Sequence, residues 1–187
     1  MEWLNEPPAW KDEHGTVTVT STPRVDFWRK TRTGMIKDEA HFYYQKVSGD
    51  FVATGRVAAD YGSDFEQAGL MVRLDEKVWL KCGIEYIAGV QYASSVTTRD
   101  VSDWGIASLP YNPPHIWIRL FRRGETVQVS YSVDGNEYAM LSRTYLTDTP
   151  DLKVGFMVAC PVGDGLTARF DEFTVRPAGP EDRWAFS

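Results

Sequence analysis

From Gln67 to Glu85 the chain alternates with a period of two, and nowhere does it offer apolar residues at helical spacing. Successive side chains on a strand point to opposite faces. The even positions Ala68, Leu70, Val72, Leu74, Val78, Leu80, Cys82 and Ile84 therefore form one wholly apolar face. The odd positions Gln67, Gly69, Met71, Arg73, Trp79, Lys81, Gly83 and Glu85 form a mixed one. Asp75-Glu76-Lys77 makes a three-residue turn. It pairs Leu74 with Val78, and hence Arg73 with Trp79, Met71 with Lys81 and Gln67 with Glu85. One face is a core surface. The other carries an amide, two cations, an acid, a Trp and two glycines. Trp is rare on a wet sheet face, and the glycines leave floor space for another group to approach. This alternation predicts the wall of a binding surface.

The same reading applied along the chain predicts strands at residues 16–20, 41–45, 51–57, 90–99, 115–121, 126–133, 138–141, 152–160 and 166–175. Asp26-Phe27-Trp28-Arg29 is a loop or a short strand. Pro7 and Pro8 exclude a helix or a central strand from residues 3–10. Residues 100–105, with Trp104, and Tyr111-Asn112-Pro113-Pro114 read as loops, and residues 177–187 as a loose tail. The strand at 90–99 is oriented so that Tyr92 and Val96 face the core. That places Gln91, Ser95, Thr97 and Arg99 with Lys81 and Glu85; a two-residue turn at Ala88-Gly89 gives the opposite parity. Ten or more short strands without an amphipathic helix mean an all-β sandwich or barrel. At 187 residues the expectation is a single β-sandwich domain over 1–187, with its core at about 15–176.

Charge and cysteine content narrow the function classes. The net charge is −6 and no basic cluster exists, which argues against nucleic acid as a partner. Cys82 and Cys160 are too few for a disulfide framework and read as buried thiols in a reducing compartment. The N-terminal residues show no signal-peptide pattern, and no run approaches the ~20 apolar residues of a membrane helix. A cytoplasmic protein is expected, with no membrane partner. His14, His41 and His115 lack ligand spacing for zinc, and Asp100, Asp103 and Asp164 do not form a dense calcium loop. No metal and no cofactor is expected. Phosphate-cradling glycine loops and nucleophile elbows are missing from the sequence.

Several short motifs occur in a characteristic order: Asp26-Phe27-Trp28, Gly49-Asp50-Phe51, Gln67-Ala68-Gly69-Leu70, Lys81-Cys82-Gly83-Ile84-Glu85 and Ser102-Asp103-Trp104. Trp117-Ile118-Arg119, Ser132-Val133-Asp134-Gly135 and Phe170-Asp171-Glu172-Phe173 continue the series. Over residues 15–176 the chain resembles a family of unknown molecular function labelled "regulation of enolase". That family lies in the concanavalin A-like lectin/glucanase superfamily. The resemblance implies a jelly-roll sandwich of two antiparallel sheets with a concave face. The superfamily contains lectins, carbohydrate-binding modules and glycosidases, so the fold does not select among them.

The candidate ligand-binding residues are Trp28, Gln67, Arg73, Trp79, Lys81, Glu85, Thr97, Arg99 and Trp104. Trp28, Trp79 and Trp104 suit stacking on the C–H face of a pyranose, although Trp28 and Trp104 equally suit the edge of a core. The polar members suit hydroxyls or a ligand carboxylate or phosphate, and their cation surplus favours an anionic ligand. Glu85 is the candidate acid or base. A retaining glycosidase needs two carboxyls about 5–5.5 Å apart. The face holds no second acid, although Asp64 or Asp103 could reach it from loops. Glu85 equally suits an ion pair with Lys81, Arg73 or Arg99. Three readings stay open: a protein binding carbohydrate or a small polar ligand, a glycoside hydrolase or lyase using Glu85, and an interaction domain acting on a metabolic enzyme.

Overall fold

The structure is a computed structural model and describes residues 1–186. In chain order the strands are β1 (Glu2–Leu4), β2 (Ala9–Glu13), β3 (Thr16–Thr20), β4 (Phe27–Arg29), β5 (Ile36–Asp38), β6 (His41–Ser48), β7 (Phe51–Ala59) and β8 (Glu66–Arg73). They continue as β9 (Val78–Ile87), β10 (Val90–Arg99), β11 (Val101–Ser108), β12 (Ile116–Arg123), β13 (Thr126–Ser132), β14 (Ala139–Tyr145), β15 (Asp151–Ala159) and β16 (Thr167–Pro177). Two seven-stranded antiparallel sheets stack face to face, in the orders β1-β6-β15-β8-β9-β10-β11 and β14-β13-β12-β7-β16-β3-β2. This is the all-β jelly-roll sandwich that the alternation and the turns anticipate. β1 and β2, on either side of Pro7 and Pro8, are both edge strands, where proline is tolerated.

The β8–β9 register follows the three-residue turn: Gln67 pairs with Glu85, Met71 with Lys81 and Arg73 with Trp79. Ala68, Leu70, Val72, Leu80, Cys82 and Ile84 enter the layer between the sheets, with Phe51, Ile118, Leu120, Val129 and Phe170 opposite. Each fully buried large apolar side chain there adds roughly 1.5–3 kcal/mol of burial free energy before entropy is charged.

The odd face is not open. Residues 22–40, carrying the β4–β5 hairpin, fold back over it and make a second core. Val25, Phe27, Ala40, Phe42, Tyr44, Met71, Trp79, Val96, Met157 and Ala159 are buried together there. Trp79 is fully buried, with its ring centroid 6.1 Å from that of Phe27. Gly69 and Gly83 do not provide floor space either. A Cβ on Gly69 would stand 1.8 Å from the Cys82 carbonyl oxygen, and one on Gly83 would stand 2.2 Å from that of Ala68. Both glycines admit the neighbouring backbone itself.

Three further expectations are corrected. Ala88-Gly89 is the two-residue turn, so Tyr92 pairs with Glu85, Ser94 with Gly83 and Val96 with Lys81. Residues paired directly across a ladder share a face. Ser95 and Thr97 therefore lie on the inter-sheet side, where Ser95 and Ser142 hydroxyls meet at 3.1 Å. The loop expected at residues 100–105 is instead the start of β11, with Trp104 opposite Val96. Of the expected loose tail, Pro177 ends β16, residues 178–186 run against the outer face of the second sheet, and Ser187 lies outside the described residues. The Trp184 ring centroid lies 4.4 Å from that of Phe121, the Ala185 N–H donates to Gln128 Oε1 (3.1 Å), and Arg143 donates to the Ala185 carbonyl.

Candidate functional site

Four strands and the covering segment converge on Glu85. β8 contributes Gln67, β9 contributes Lys81 and Glu85, β10 contributes Ser94 and Val96, and β11 contributes Ser102 and Trp104, all on one face by pairing. The covering segment is fastened from above. The Arg29 N–H donates to Ser102 Oγ (2.9 Å), the Thr31 hydroxyl to the Ser102 carbonyl (2.6 Å), and the Arg29 guanidinium to Asp100 Oδ1 (2.9 Å). These bonds place Asp26 and Trp28 over the sheet.

The cations of the face are consumed by this cover. Lys81, 1% exposed, donates to Asp26 Oδ1 at 2.7 Å. Arg73 makes a two-pronged pair with Asp38 at 2.7 and 2.8 Å and lies over the Phe27 ring. Charge-assisted pairs of this geometry are strong, and burial makes the loss of either partner costly. Glu85, 3% exposed, receives only neutral donors: Gln67 Nε2 to Oε1 (3.2 Å), Ser94 Oγ to Oε2 (2.6 Å) and Trp104 Nε1 to Oε2 (2.7 Å). Burial pushes the Glu85 carboxyl above its ordinary value and the nearby Asp26 charge adds to this, while Ser94, Lys81 and Trp104 oppose it.

A cavity of about 640 Å³ opens between the sheet and the covering segment. Trp28, Met35, Phe65, Val96, Trp104 and Val162 give it apolar walls, while Asp26, Gln67 and Glu85 bring polar atoms and Arg32 stands at its margin. A concave site with aromatic walls and few convergent polar groups has the make-up of a small-ligand site. Its volume lies within the range of roughly 300–1,000 Å³ usual for such sites. The carboxyl can accept from a hydroxyl or an ammonium group, or, when protonated, donate.

Of the expected site residues, the fold gathers Trp28, Gln67, Glu85 and Trp104 around this cavity. Arg73, Trp79 and Lys81 lie buried beneath the cover and support its floor. Thr97 and Arg99 are on the other face; Thr97 is paired with Leu80, and the Arg99 guanidinium lies 5.3 Å from the Tyr145 ring centroid. Asp103, although paired with Thr97, is among the residues lining the cavity, while Asp64 Oδ1 accepts the Ala88 N–H (2.7 Å). Several contributors escaped the sequence reading, Ser94, Ser102 and Asp26 among the polar ones. Ser94 becomes visible once Ala88-Gly89 is taken as the two-residue turn. Asp26 carries no strand signal, and only its place beside the buried Lys81 reveals it. Among the described residues, no three or more of His, Cys, Asp and Glu are grouped as metal ligands would be.

Residues 3–178 match the family described as "Protein of unknown function (DUF1349)". The chain is 34% identical over 173 residues to "Regulation of enolase protein 1" of Saccharomyces cerevisiae, spanning 92% of this chain and 87% of the relative. A crystal structure of a functionally unknown protein from Saccharomyces cerevisiae superposes with a TM-score of 0.91 at 34% identity, covering 95% of this chain and 97% of that one. More distant likenesses share the sandwich alone. A GH43 protein from Bacillus licheniformis gives a TM-score of 0.70 at 15% identity, covering 91% of this chain and 35% of that one. The alginate lyase from Klebsiella pneumoniae gives 0.56 at 10% identity, covering 90% and 84%.

Proposed function

The chain belongs to the family described as "Protein of unknown function (DUF1349)", the "regulation of enolase" family of concanavalin A-like sandwiches, and on that premise we propose that it binds a carbohydrate or a small polar ligand in the cavity over Glu85. The observation that carries this reading is the Glu85 carboxyl. It is held by three fixed donors in a cavity that Trp28 and Trp104 also line, and their rings suit the apolar face of a pyranose. The donors lock the carboxyl orientation before any ligand arrives, which lowers the ordering cost of binding. The reading takes the protein to be cytoplasmic, in keeping with two free, buried thiols at Cys82 and Cys160. Among the described residues no helix is long and apolar enough to cross a membrane.

A glycan and metabolite screen by thermal shift tests the reading, because stabilisation grows with ligand concentration over Kd. A ligand from this class should raise the Tm of the parent protein, and Trp104→Ala should abolish the shift while leaving the unliganded protein folded. A shift unchanged by Trp104→Ala would move the site elsewhere.

A second reading has its own support. The relative named "Regulation of enolase protein 1" suggests contact with a protein partner, and edge strand β11 leaves Val101, Trp104 and Ile106 exposed. Association with enolase in titration calorimetry, lost on Ile106→Lys, would favour it. A hydrolase or lyase reading draws on Asp26 and Asp103, which bring further carboxyls to the cavity of Glu85.

A further inference from the structure

The carboxylates around the covering segment differ in their partners. Asp26 has Lys81, Asp38 has Arg73, and Asp100 has Arg29 and Lys30. Glu85 is as buried as any of these, yet no cation stands within 4.0 Å of it among the described residues. Its three partners are a neutral amide, a hydroxyl and an indole. Oε2 takes two short bonds, whereas Oε1 takes only the 3.2 Å contact from Gln67 and keeps acceptor capacity. Burying a carboxylate without a cation is costly, and burial correspondingly raises its hold on a proton. Lys81 acts on Glu85 from beyond ion-pair distance, but its ammonium is committed to Asp26 at 2.7 Å. Asp26 and Lys81 offset each other, Glu85 has no cation of its own, and Asp103 adds a further carboxylate to the lining. The cation among the lining residues is Arg32, an exposed side chain.

Glu85 is therefore a carboxylate with no cation partner among the described residues, in the lining of an aromatic-walled cavity. Indole faces attract both the C–H face of a sugar ring and a positive charge. The geometry points to an amino sugar as the ligand: a pyranose-sized polyol whose protonated amine pairs with Glu85 while its ring lies against Trp28 or Trp104. This rests on the binding reading above and names its ligand class. It also reverses the anionic preference expected from the sequence. That preference counted Arg73, Lys81 and Arg99 as free, whereas two are spent on Asp38 and Asp26 and the third lies on the opposite face.

The test compares four probes by titration calorimetry at about pH 7, further from the raised range in which Glu85 keeps its proton and where an amino-sugar amine is still largely protonated: glucosamine, N-acetylglucosamine, glucose and glucuronate. Glucosamine should bind about tenfold or more tightly than glucose or N-acetylglucosamine, with glucuronate weakest, as expected of one charge-assisted contact. Glu85→Gln should abolish the preference for glucosamine over glucose, whatever it does to the affinity for either sugar. The comparison of glucosamine with its acetylated form needs no variant, so it decides the matter even if Glu85→Gln folds poorly. Equal affinities for glucosamine and glucose, or a preference that survives Glu85→Gln, would overturn the inference and leave the binding reading standing. Failure of all four probes, together with failure of the wider screen, would end both.

Discussion

Asp26 and Lys81 are the residues on which the covered face depends. Lys81 is fully buried on a strand, and its ammonium is satisfied by a carboxylate from 55 positions away in the chain. Asp26 Oδ1 also accepts the Phe27 N–H at 2.7 Å, so one oxygen anchors both the lysine and the entry to β4. Asp26→Asn leaves a buried cation without its charge and should cost about 3–5 kcal/mol in urea denaturation. Lys81→Met added to Asp26→Asn should recover most of that loss, because an uncharged pair has nothing left to compensate. A double variant as unstable as Asp26→Asn alone would mean that packing of the Asp26 loop, and not charge, sets the cost. Lys81 also marks how far parity alone could reach. Its strand face was legible, but whether that face meets water or protein depends on a segment distant in sequence.

At the scale of elements, turns were legible where their length was. The 75–77 turn gave the β8–β9 register residue by residue, as the observed pairing of Gln67 with Glu85 shows. After the Ala88-Gly89 turn, the orientation that buries the larger apolar groups of 90–99 gives the wrong parity. That criterion assumes one dry face, and here both are covered: Val96 is buried in the second core while Ala93 is buried between the sheets. A strand covered on both sides loses the contrast by which alternation orients it. β11 was hidden for a related reason. As an edge strand it is exposed at most positions and has little apolar alternation to read. The segment after β16 also behaves as an element. Arg176 pairs with Asp182 at 2.6 and 2.7 Å, and Trp184 sits between the Phe121 ring and the Arg143 guanidinium. Trp184→Ala should uncover Phe121 and lower stability by about 1–3 kcal/mol. A variant with the parent's denaturation midpoint would show that the tail contributes nothing to the sandwich.

The molecule as a whole has two cores sharing one sheet, and two buried titratable groups sit at the ends of the cover. His41 is clamped in its neutral form: Nε2 accepts the Thr22 N–H (3.0 Å), and Nδ1 donates to the Asn5 carbonyl (2.5 Å). Burial holds its pKa below the ordinary 6.5, against the raising effect of the Asn5 bond. The unfolded chain then takes up a proton before the folded one, so this contribution is intact above about pH 6.5 and is lost as pH falls towards the folded value. Glu85 runs the other way. Its raised pKa means that stability present below its ordinary 4.5 is lost as pH rises through the folded value. Urea midpoints measured between about pH 4 and pH 8 should therefore show Glu85→Gln gaining on the parent as pH rises, and His41→Asn narrowing its deficit as pH falls. Parallel curves for parent and variants would remove both groups from the account.

The alternation of the chain determined by itself that it forms sheets, which residues lie back to back, and which side chains share a face. Those are consequences of bond geometry between near neighbours. The tertiary structure decided that residues 22–40 close over the mixed face, that Lys81 and Arg73 are spent inside it, and that a cavity is left where the cover ends beside Glu85. The partners in those choices lie tens of residues apart, and pairing over such distances is set by which buried charges and rings fit together once the sheet exists.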